Sequence, residues 1–239
     1  FAGCWLLTRV TIEDGTTDLS GARFNDSPLE TIYLGRNSDF VPSDSNSPTI
    51  KEVTIGNSVT EIGYGAFYGC TGLTDVTIGN SVTTINGNAF MGCTGLTSVT
   101  IPNSVTTING NAFMGCTNLT DVTIGNSVTY IGSGAFYGTG CYNNCSDGEF
   151  VYVDNCLVDF KGDPYAYNGG YLYRNKTQII KEGTRLVSLD GADMRSLSPT
   201  EIISLSATPP ILSTLGSYYG EYKDRIGMLY VPADAYNAY

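Results

Sequence analysis

A block of 23 residues occurs twice in succession in this chain with almost no change. The first copy begins at Leu73 and the second at Leu96. The copies differ only at three pairs of positions, Asp75/Ser98, Gly79/Pro102 and Gly95/Asn118. Tandem copies with a fixed period are typical of solenoids, in which each copy forms one coil and contacts only its neighbours. The chain is therefore predicted to form a solenoid with an extended surface, an architecture that more often binds than catalyses.

Each copy has its apolar residues at fixed positions. In the first copy they are Leu73, Val76, Ile78, Val82, Ile85, Ala89, Phe90 and Cys93. The Val-x-Ile segment alternates with a period of two, as a short strand does, and the Gly-Asn-Ser that follows predicts a turn. A second short extended segment ends at Ile85, after which Ala-Phe-x-x-Cys is expected to close the coil as an irregular or 3₁₀-like segment. Strands of successive copies are expected to pair in parallel.

Looser copies lie on both sides of this pair. They begin, in chain order, at Leu7, Leu29, Ile50 and Leu119. The predicted solenoid therefore covers residues 1–139 in about six coils. Phe1 and Cys4 match the spacing of the Phe and Cys of the repeat, so the first residue is expected to lie inside an earlier coil.

The net charge of the chain disfavours some classes of binding partner. Twelve Lys and Arg against 23 Asp and Glu give a net charge of −11, which repels phosphate backbones and anionic lipid headgroups. No Lys or Arg occurs between Lys51 and Lys161. No apolar run reaches the ~18 residues of a membrane span, and the sequence shows no basic, apolar export leader. Neither nucleic-acid binding nor direct membrane insertion is expected.

The chain has no His, which removes the general base of Ser-His-Asp and Cys-His sites and a common metal ligand. A carboxylate pair for glycoside hydrolysis would be Asp75 and Asp121, about 10 Å apart across two strand spacings. Both are expected to be exposed, so solvated surface carboxylates are the favoured interpretation. The sequence predicts no enzyme, no cofactor and no metal site.

The seven cysteines fall into two groups. The first group is Cys4, Cys70, Cys93 and Cys116, which share one repeat position beside the Phe column. These are predicted to pack in the core as small apolar side chains. The second group is Cys141, Cys145 and Cys156, which lie outside the repeats. A local disulfide is the favoured hypothesis for this group, because exported proteins carry such bridges.

Outward residues of the predicted first strands form the candidate binding surface, which we call the Thr face. Its first column is Thr11, Tyr33, Thr54, Thr77, Thr100 and Thr123, and its second is Glu52, Asp75, Ser98 and Asp121. Branched hydroxyl residues also suit any exposed strand, so β-propensity alone accounts for the first column equally well. A flat hydroxyl surface beside carboxylates can instead hydrogen-bond a protein or a glycan. Ice binding is a further alternative, which the neighbouring acidic residues disfavour.

The repeat pattern ends near residue 139, and a tyrosine-rich region is expected over residues 140–182. Within it, residues 170–180 predict a β-hairpin with its turn at Asn175 and Lys176. Alternation places Tyr171 and Tyr173 on one face of this hairpin, and these two rings are the second candidate binding surface. Residues 183–239 are expected to form irregular repeats and a β-rich C-terminal cap. Extended segments are predicted near residues 186–189, 202–205 and 228–231.

The pattern L-x-x-V-x-I-x-x-S-V-x-x-I-x-x-x-A-F-x-x-C resembles the BspA-like, treponemal-type leucine-rich repeat proteins of bacterial surfaces. It covers residues 1–139. Residues 205–210 and 229–236 also look like the closing strands of such proteins in gut and oral Bacteroidetes. The resemblance implies a right-handed, β-rich leucine-rich-repeat solenoid. It also implies a secreted or surface-anchored protein, whose relatives adhere to host matrix or plasma proteins or to other cells.

These observations together predict a non-enzymatic, monomeric ligand-binding or adhesion protein outside the cell. Its expected partner is a host extracellular-matrix or plasma protein, or a glycan, bound through the Thr face, the tyrosine hairpin or both. Two alternatives stay open. One is a structural spacer that projects another domain, which recent duplication favours, and the other is a glycan-active enzyme.

Overall fold

The computed structural model describes residues 4–13, 24, 27–37, 47–146, 149–161, 178–181, 183–187, 202–204, 211–212 and 229–230. The chain divides into two units, Phe1–Asn143 and Asn144–Tyr239. The first unit contains the repeats. The second contains the region that follows them.

Each repeat of the first unit contributes one longer strand and, from the third repeat onward, a second strand of two residues. The strands are β1 (Arg9–Ile12), β2 (Thr31–Leu34), β3 (Glu52–Ile55), β4 (Glu61–Ile62), β5 (Asp75–Thr77), β6 (Thr84–Ile85), β7 (Ser98–Ile101), β8 (Thr107–Ile108), β9 (Asp121–Ile124) and β10 (Tyr130–Ile131). A single helical turn, α1 (Gly140–Asn143), follows them.

All strand pairs of the first unit are parallel and join successive repeats, as predicted. The two-residue strands form one sheet in the order β10-β8-β6-β4. The longer strands form two sheets, one of β1-β2-β3-β5 and one of β7-β9. The result is the predicted solenoid, with about four coils of roughly 23 residues after the less regular steps at β1 and β2.

Register places identical repeat positions opposite each other, so that each apolar position becomes a column in the core. Val53 lies opposite Val76, and Ile85 opposite Ile108. Phe67, Phe90, Phe113 and Phe136 form the largest column, with successive ring centroids 5.4, 5.2 and 5.4 Å apart and interplanar angles of 15°, 8° and 5°. All four rings are at most 2% exposed. Burial of this column holds neighbouring coils together, since each ring contacts the ring of the next coil.

The turn before each Phe requires a left-handed backbone. Gly65 and Gly134 have φ of 62° and 65° there, and Asn88 and Asn111 take the same conformation with φ of 58° and 60°. Gly and Asn are the residues that adopt this conformation at least cost. The repeated Gly or Asn of the sequence is thus explained by backbone geometry.

Cys70, Cys93 and Cys116 form a buried column beside the rings, as predicted. The Cys93 and Cys116 thiols each donate a hydrogen bond of 3.1 Å to the carbonyl of Phe67 and Phe90, respectively, in the preceding coil. Thr139 takes the Cys position in the next coil and donates from Oγ to the Phe136 carbonyl at 2.8 Å. The prediction is wrong for Cys4, which is exposed, because no coil covers it among the described residues.

Burial raises the pKa of the Cys70 thiol from 9.0 to about 12. A hydrogen bond with Cys116, followed by burial, raises the pKa of Cys93 further. Protonated Cys70 is favoured in the folded state, so its stabilising effect is complete below pH 9 and is lost as the pH rises from 9 towards 12. We expect the stability advantage of the wild type over Cys70→Ala to shrink across this range by up to about 1.4 kcal/mol per pH unit. Urea unfolding in reductant at pH 8–11 measures this difference.

The exposed Cys4 provides the control for this prediction. Cys4→Ala should stay within about 0.5 kcal/mol of the wild-type stability from pH 8 to 11, because it removes an exposed side chain and leaves the buried Cys column unchanged. A gap between wild type and Cys70→Ala that stays constant from pH 8 to 11 would contradict the assignment.

The second unit begins with an antiparallel hairpin of β11 (Phe150–Val153) and β12 (Cys156–Phe160). Further strands are β13 (Gln178–Ile180), β14 (Leu186–Val187), β15 (Ile202–Ser204), β16 (Ile211–Leu212) and β17 (Leu229–Tyr230). Of these strands, β14, β15 and β17 coincide with the extended segments predicted near residues 186–189, 202–205 and 228–231. In one sheet β12, β14 and β16 pair in parallel, and β11 lies at its edge. In another sheet β13, β15 and β17 pair in parallel.

Two predictions concern this region, a local disulfide and a hairpin over residues 170–180. Cys141, Cys145 and Cys156 all lie in the described part of the chain and form no disulfide, so the local disulfide is a wrong prediction. Cys141 instead donates to the Thr120 carbonyl at 3.3 Å, and the Cys156 sulfur accepts from Arg185 at 3.3 Å. The hairpin predicted over residues 170–180 lies outside the described residues apart from β13, which pairs in parallel with β15.

Candidate functional site

The Thr face is formed by the outward side chains of β1, β2, β3, β5, β7 and β9. Successive members of its first column are register partners: Thr11 lies opposite Tyr33, Tyr33 opposite Thr54, Thr54 opposite Thr77, and Thr100 opposite Thr123. All are exposed except Thr54, which is half-buried. The outward positions alternate with buried Val and Ile, so the core fixes which side chains reach solvent.

The second column of the Thr face carries the negative charge. Glu52 lies opposite Asp75, and Ser98 opposite Asp121, with all four residues exposed. Lys51 is adjacent in sequence, but its ammonium pairs with Glu30 at 2.7 Å. Since no Lys or Arg follows until Lys161, the remaining carboxylates of this column present a negative potential to a partner.

The two columns predicted from the sequence do not lie on one continuous sheet. The first six of the ten residues, from Thr11 to Thr77, lie on the four-stranded sheet, and the other four lie on the β7-β9 pair. Thr77 and Thr100 belong to consecutive coils but to different sheets. The Thr face therefore has two parts, one on each side of the step between β5 and β7.

The first end of the Thr face has a concave element that the sequence did not indicate. Thr11, Glu13, Tyr33 and Gly35 line an open depression of about 580 Å³. Tyr33 is 38% exposed, and its ring lies across the backbone of Gly35 and Gly56, where Cβ atoms would meet it at 3.1 and 2.8 Å. The absence of side chains at these two glycines thus makes room for the ring.

Exposed aromatic residues also occur at the turns beside the Phe column, and sequence analysis missed them. Tyr64, Tyr68 and Tyr137 are 73%, 50% and 49% exposed, and the rings of Tyr137 and Tyr142 are 4.9 Å apart. Tyr64 accepts a hydrogen bond of 2.6 Å from the Asn88 amide. The signal in the sequence was the position after the repeat Phe, where Tyr68 and Tyr137 replace Met91 and Met114. Tyr171 and Tyr173, the rings predicted instead, lie outside the described residues.

The carboxylates considered for catalysis lie two coils apart on the exposed face of the solenoid. Asp75 and Asp121 lie on β5 and β9, with β7 between these coils, and both are exposed. No group of three or more His, Cys, Asp or Glu residues that could hold a metal ion occurs in the described ranges. None of the helices in the described part of the chain is long and apolar enough to cross a membrane.

Comparison with known proteins gives one family match. Residues 43–149 match the model of the BspA type leucine rich repeat region, in six copies. No curated protein sequence matches the chain.

Solved structures similar to the chain include three leucine-rich repeat proteins. A leucine-rich repeat protein from Bacteroides ovatus ATCC 8483 is 29% identical, with 57% of this chain and 37% of that chain covered and a TM-score of 0.48. The T. pallidum leucine-rich repeat protein is 24% identical over 77% of this chain and 76% of that one, with a TM-score of 0.44. A leucine-rich cell surface protein from Faecalibacterium prausnitzii A2-165 is 20% identical over 100% and 77%, with a TM-score of 0.26. The chain thus spans 37% of the length of the Bacteroides ovatus protein.

Proposed function

Since residues 43–149 of this chain match the model of the BspA-type leucine-rich repeats, we propose that the protein is a non-enzymatic adhesion or ligand-binding protein that acts at the cell surface or outside the cell. Repeats of this family are consistent with a protein-binding or adhesion role. The proposed partner is a host extracellular-matrix or plasma protein or a glycan. The proposed site is the Thr face.

One observation carries this proposal. The Thr face presents hydroxyl and carboxylate groups at the same height on successive parallel strands, held there by a core of stacked apolar columns. Within each of its two parts the Thr face is regularly spaced and held by the core, and such a surface loses little conformational entropy when a partner binds it. Its carboxylates favour a partner with basic groups at the contact and disfavour anionic partners.

The test uses a triple variant of the Thr face, Thr77→Lys, Thr100→Lys and Thr123→Lys. The purified protein is measured by surface plasmon resonance against immobilised matrix proteins, plasma proteins and neutral host glycans. Saturable binding is expected for the wild type. We expect at least about a tenfold loss of affinity for the variant, because three new charges replace hydroxyl groups at the contact.

The same coils offer a matched control, Thr83→Lys, Thr106→Lys and Thr129→Lys. These threonines are equally exposed but lie in the turns that lead to the two-residue strands. The control carries the same added charge, so equal losses in both variants would indicate a general charge effect and not a site on the Thr face. Unchanged binding in the Thr-face variant would contradict the proposed site and favour the tyrosine-rich surfaces.

A structural spacer is the second candidate function, and the near identity of the coils that begin at Leu73 and Leu96 favours it. A spacer needs length and stability but no conserved surface chemistry. It should show no saturable binding anywhere on the panel, and cells displaying the Thr-face variant should keep their surface function.

A further inference from the structure

At a single step between consecutive coils of the described first unit, the first strands do not pair, although they remain neighbours. β3 pairs with β5 and β7 pairs with β9, but β5 and β7 lie in separate sheets although their coils are adjacent. The repeats on the two sides of this step are the nearly identical copies that begin at Leu73 and Leu96. Of the three differences between them, the exchange of Gly79 for Pro102 lies at the end of the unpaired strands.

The opposite side of the same step is closed. β6 pairs with β8, the Thr106 N–H donates to the Thr83 carbonyl at 2.9 Å, and the Phe90 N–H donates to the Ala112 carbonyl at 2.8 Å. The rings of Phe90 and Phe113 are 5.2 Å apart, the shortest spacing in the column. The two coils are thus joined by backbone hydrogen bonds along one side, whereas at the Thr face their strands are neighbours that do not pair.

Pro102 lacks a donor that crosses three of the other steps. The equivalent residue is Gly in the other coils, and in three of them its N–H donates to the preceding coil: Gly35 to Ile12 and Gly56 to Leu34 at 2.6 Å, and Gly125 to Ile101 at 2.9 Å. The Gly79 N–H makes no such bond, yet β3 and β5 pair, so the missing donor by itself does not prevent pairing. Pro102 occupies this position in the coil of β7. Proline has no N–H, so it has nothing to donate to the Ile78 carbonyl.

Pro102 also places atoms where the closed steps have no room for them. A Cβ atom added to Gly79 would lie 2.5 Å from the Gly56 carbonyl oxygen, and one added to Gly125 would lie 2.4 Å from the Pro102 oxygen. Pro102 carries such a Cβ and a ring at the equivalent position. Its coil therefore has to stand away from Gly79 on this side.

Two neighbouring features show how far the opening extends. The Asn80 N–H donates to Asn57 Oδ1 and the Asn126 N–H to Asn103 Oδ1, both at 2.8 Å, but no such bond joins Asn103 to Asn80 within residues 71–104, all of which are described. Val76 on β5 is partly exposed, whereas Val99 on β7 is 4% exposed. The separation thus reaches from the turn to the core side of β5.

We propose that Pro102 is a hinge in the solenoid. Its Cβ and ring hold β5 and β7 apart, and the β1-β2-β3-β5 and β7-β9 parts of the Thr face move relative to each other about the closed β6-β8 side. The motion changes the spacing between Thr77 and Thr100 and leaves the Phe column stacked. This inference concerns the fold and holds whether or not the Thr face binds a partner.

Amide hydrogen exchange measured by NMR tests the hinge with an internal control. Thr77, Thr100 and Thr123 all lie between Val and Ile, so their intrinsic exchange rates match. The Asp75 and Asp121 N–H groups donate to Lys51 and Thr97 in the preceding coils, and the threonine two residues later points its N–H to the same side. We expect Thr100 to exchange at least about tenfold faster than Thr77 and Thr123, because only its coil is separated from the preceding one. Equal protection of the three amides would overturn the proposal.

Two variants separate the missing donor from the steric effect. Pro102→Gly restores the residue of the flanking coils. It is expected to bring the amide hydrogen-exchange rate of Thr100 to within about threefold of that of Thr123. It is also expected to abolish the microsecond-to-millisecond line broadening of the Thr100 resonance. Pro102→Ala restores the N–H but keeps a Cβ, so Thr100 is expected to stay fast. A Pro102→Gly protein that folds yet still exchanges fast at Thr100, or a Pro102→Ala protein that closes, would overturn the assignment to the Pro102 side chain.

Discussion

Replacing Phe90 by Ala is expected to lower the free energy of unfolding by about 4 kcal/mol, within the range for large aromatic residues in well-packed cores. Phe90 is fully buried and its ring stacks on Phe67 at 5.4 Å and on Phe113 at 5.2 Å. The substitution therefore leaves a cavity and removes ring contacts to the coils on both sides. Urea unfolding followed by circular dichroism measures the loss. In a solenoid the loss is also expected to reduce cooperativity, because neighbouring coils are coupled only through their shared interface.

The adjacent residue provides the control for this prediction. Met91 is half-buried, and Met91→Ala should cost less than about 1.5 kcal/mol, because a partly exposed side chain gives up less buried area. Similar losses for both variants would show that the Phe column does not dominate the contact between coils.

Replacing Gly79 by Ala is expected to lower the free energy of unfolding by about 2 kcal/mol, which is typical of overpacking. The added Cβ would lie 2.5 Å from the Gly56 oxygen and 2.7 Å from the Ile55 oxygen, both of them backbone atoms of the preceding coil. Since backbone cannot move aside as a flexible side chain does, the coils have to separate. The substitution should open a second gap between β3 and β5, seen as faster amide exchange at Asp75 and Thr77.

Gly87 in the same coil serves as the matched control. A Cβ there would come no closer than 3.2 Å, to the Gly110 oxygen, so Gly87→Ala should change stability by less than about 1 kcal/mol. If Gly79→Ala were as stable as Gly87→Ala and left β3 and β5 paired, a Cβ at this position would be tolerated, and the steric account of Pro102 would fail with it.

Much of the fold follows from the repeat itself. The period of the apolar residues predicted parallel pairing between copies, the two short strands of each coil, and the burial of Phe90 and Cys93. These predictions succeed because a stack of equivalent coils leaves each apolar position only one environment, the matching position of the next coil. The outward positions of the Thr face followed from the same alternation.

Local features without a repeat were harder to predict. The hairpin of β11 and β12 turns at Asp154 and Asn155, with φ of 53° at Asp154. The signal was available, since Asp-Asn between alternating apolar residues favours a two-residue hairpin turn. The local disulfide failed for a different reason: cysteine spacing says nothing about which groups the thiols meet in space, and Cys156 packs in β12 against Arg185.

The sequence by itself determined the period, the columns of the core and which side chains point outward, because those properties depend only on spacing along the chain. The tertiary structure decided where the stack is continuous. The replacement of Gly79 by Pro102 is one difference in 23 residues. Its effect becomes visible only in the stacked coils, where a Cβ added to Gly79 would lie 2.5 Å from the Gly56 oxygen and one added to Gly125 would lie 2.4 Å from the Pro102 oxygen. Distances between coils, and therefore the division of the Thr face, depend on packing across repeats, which no single repeat encodes.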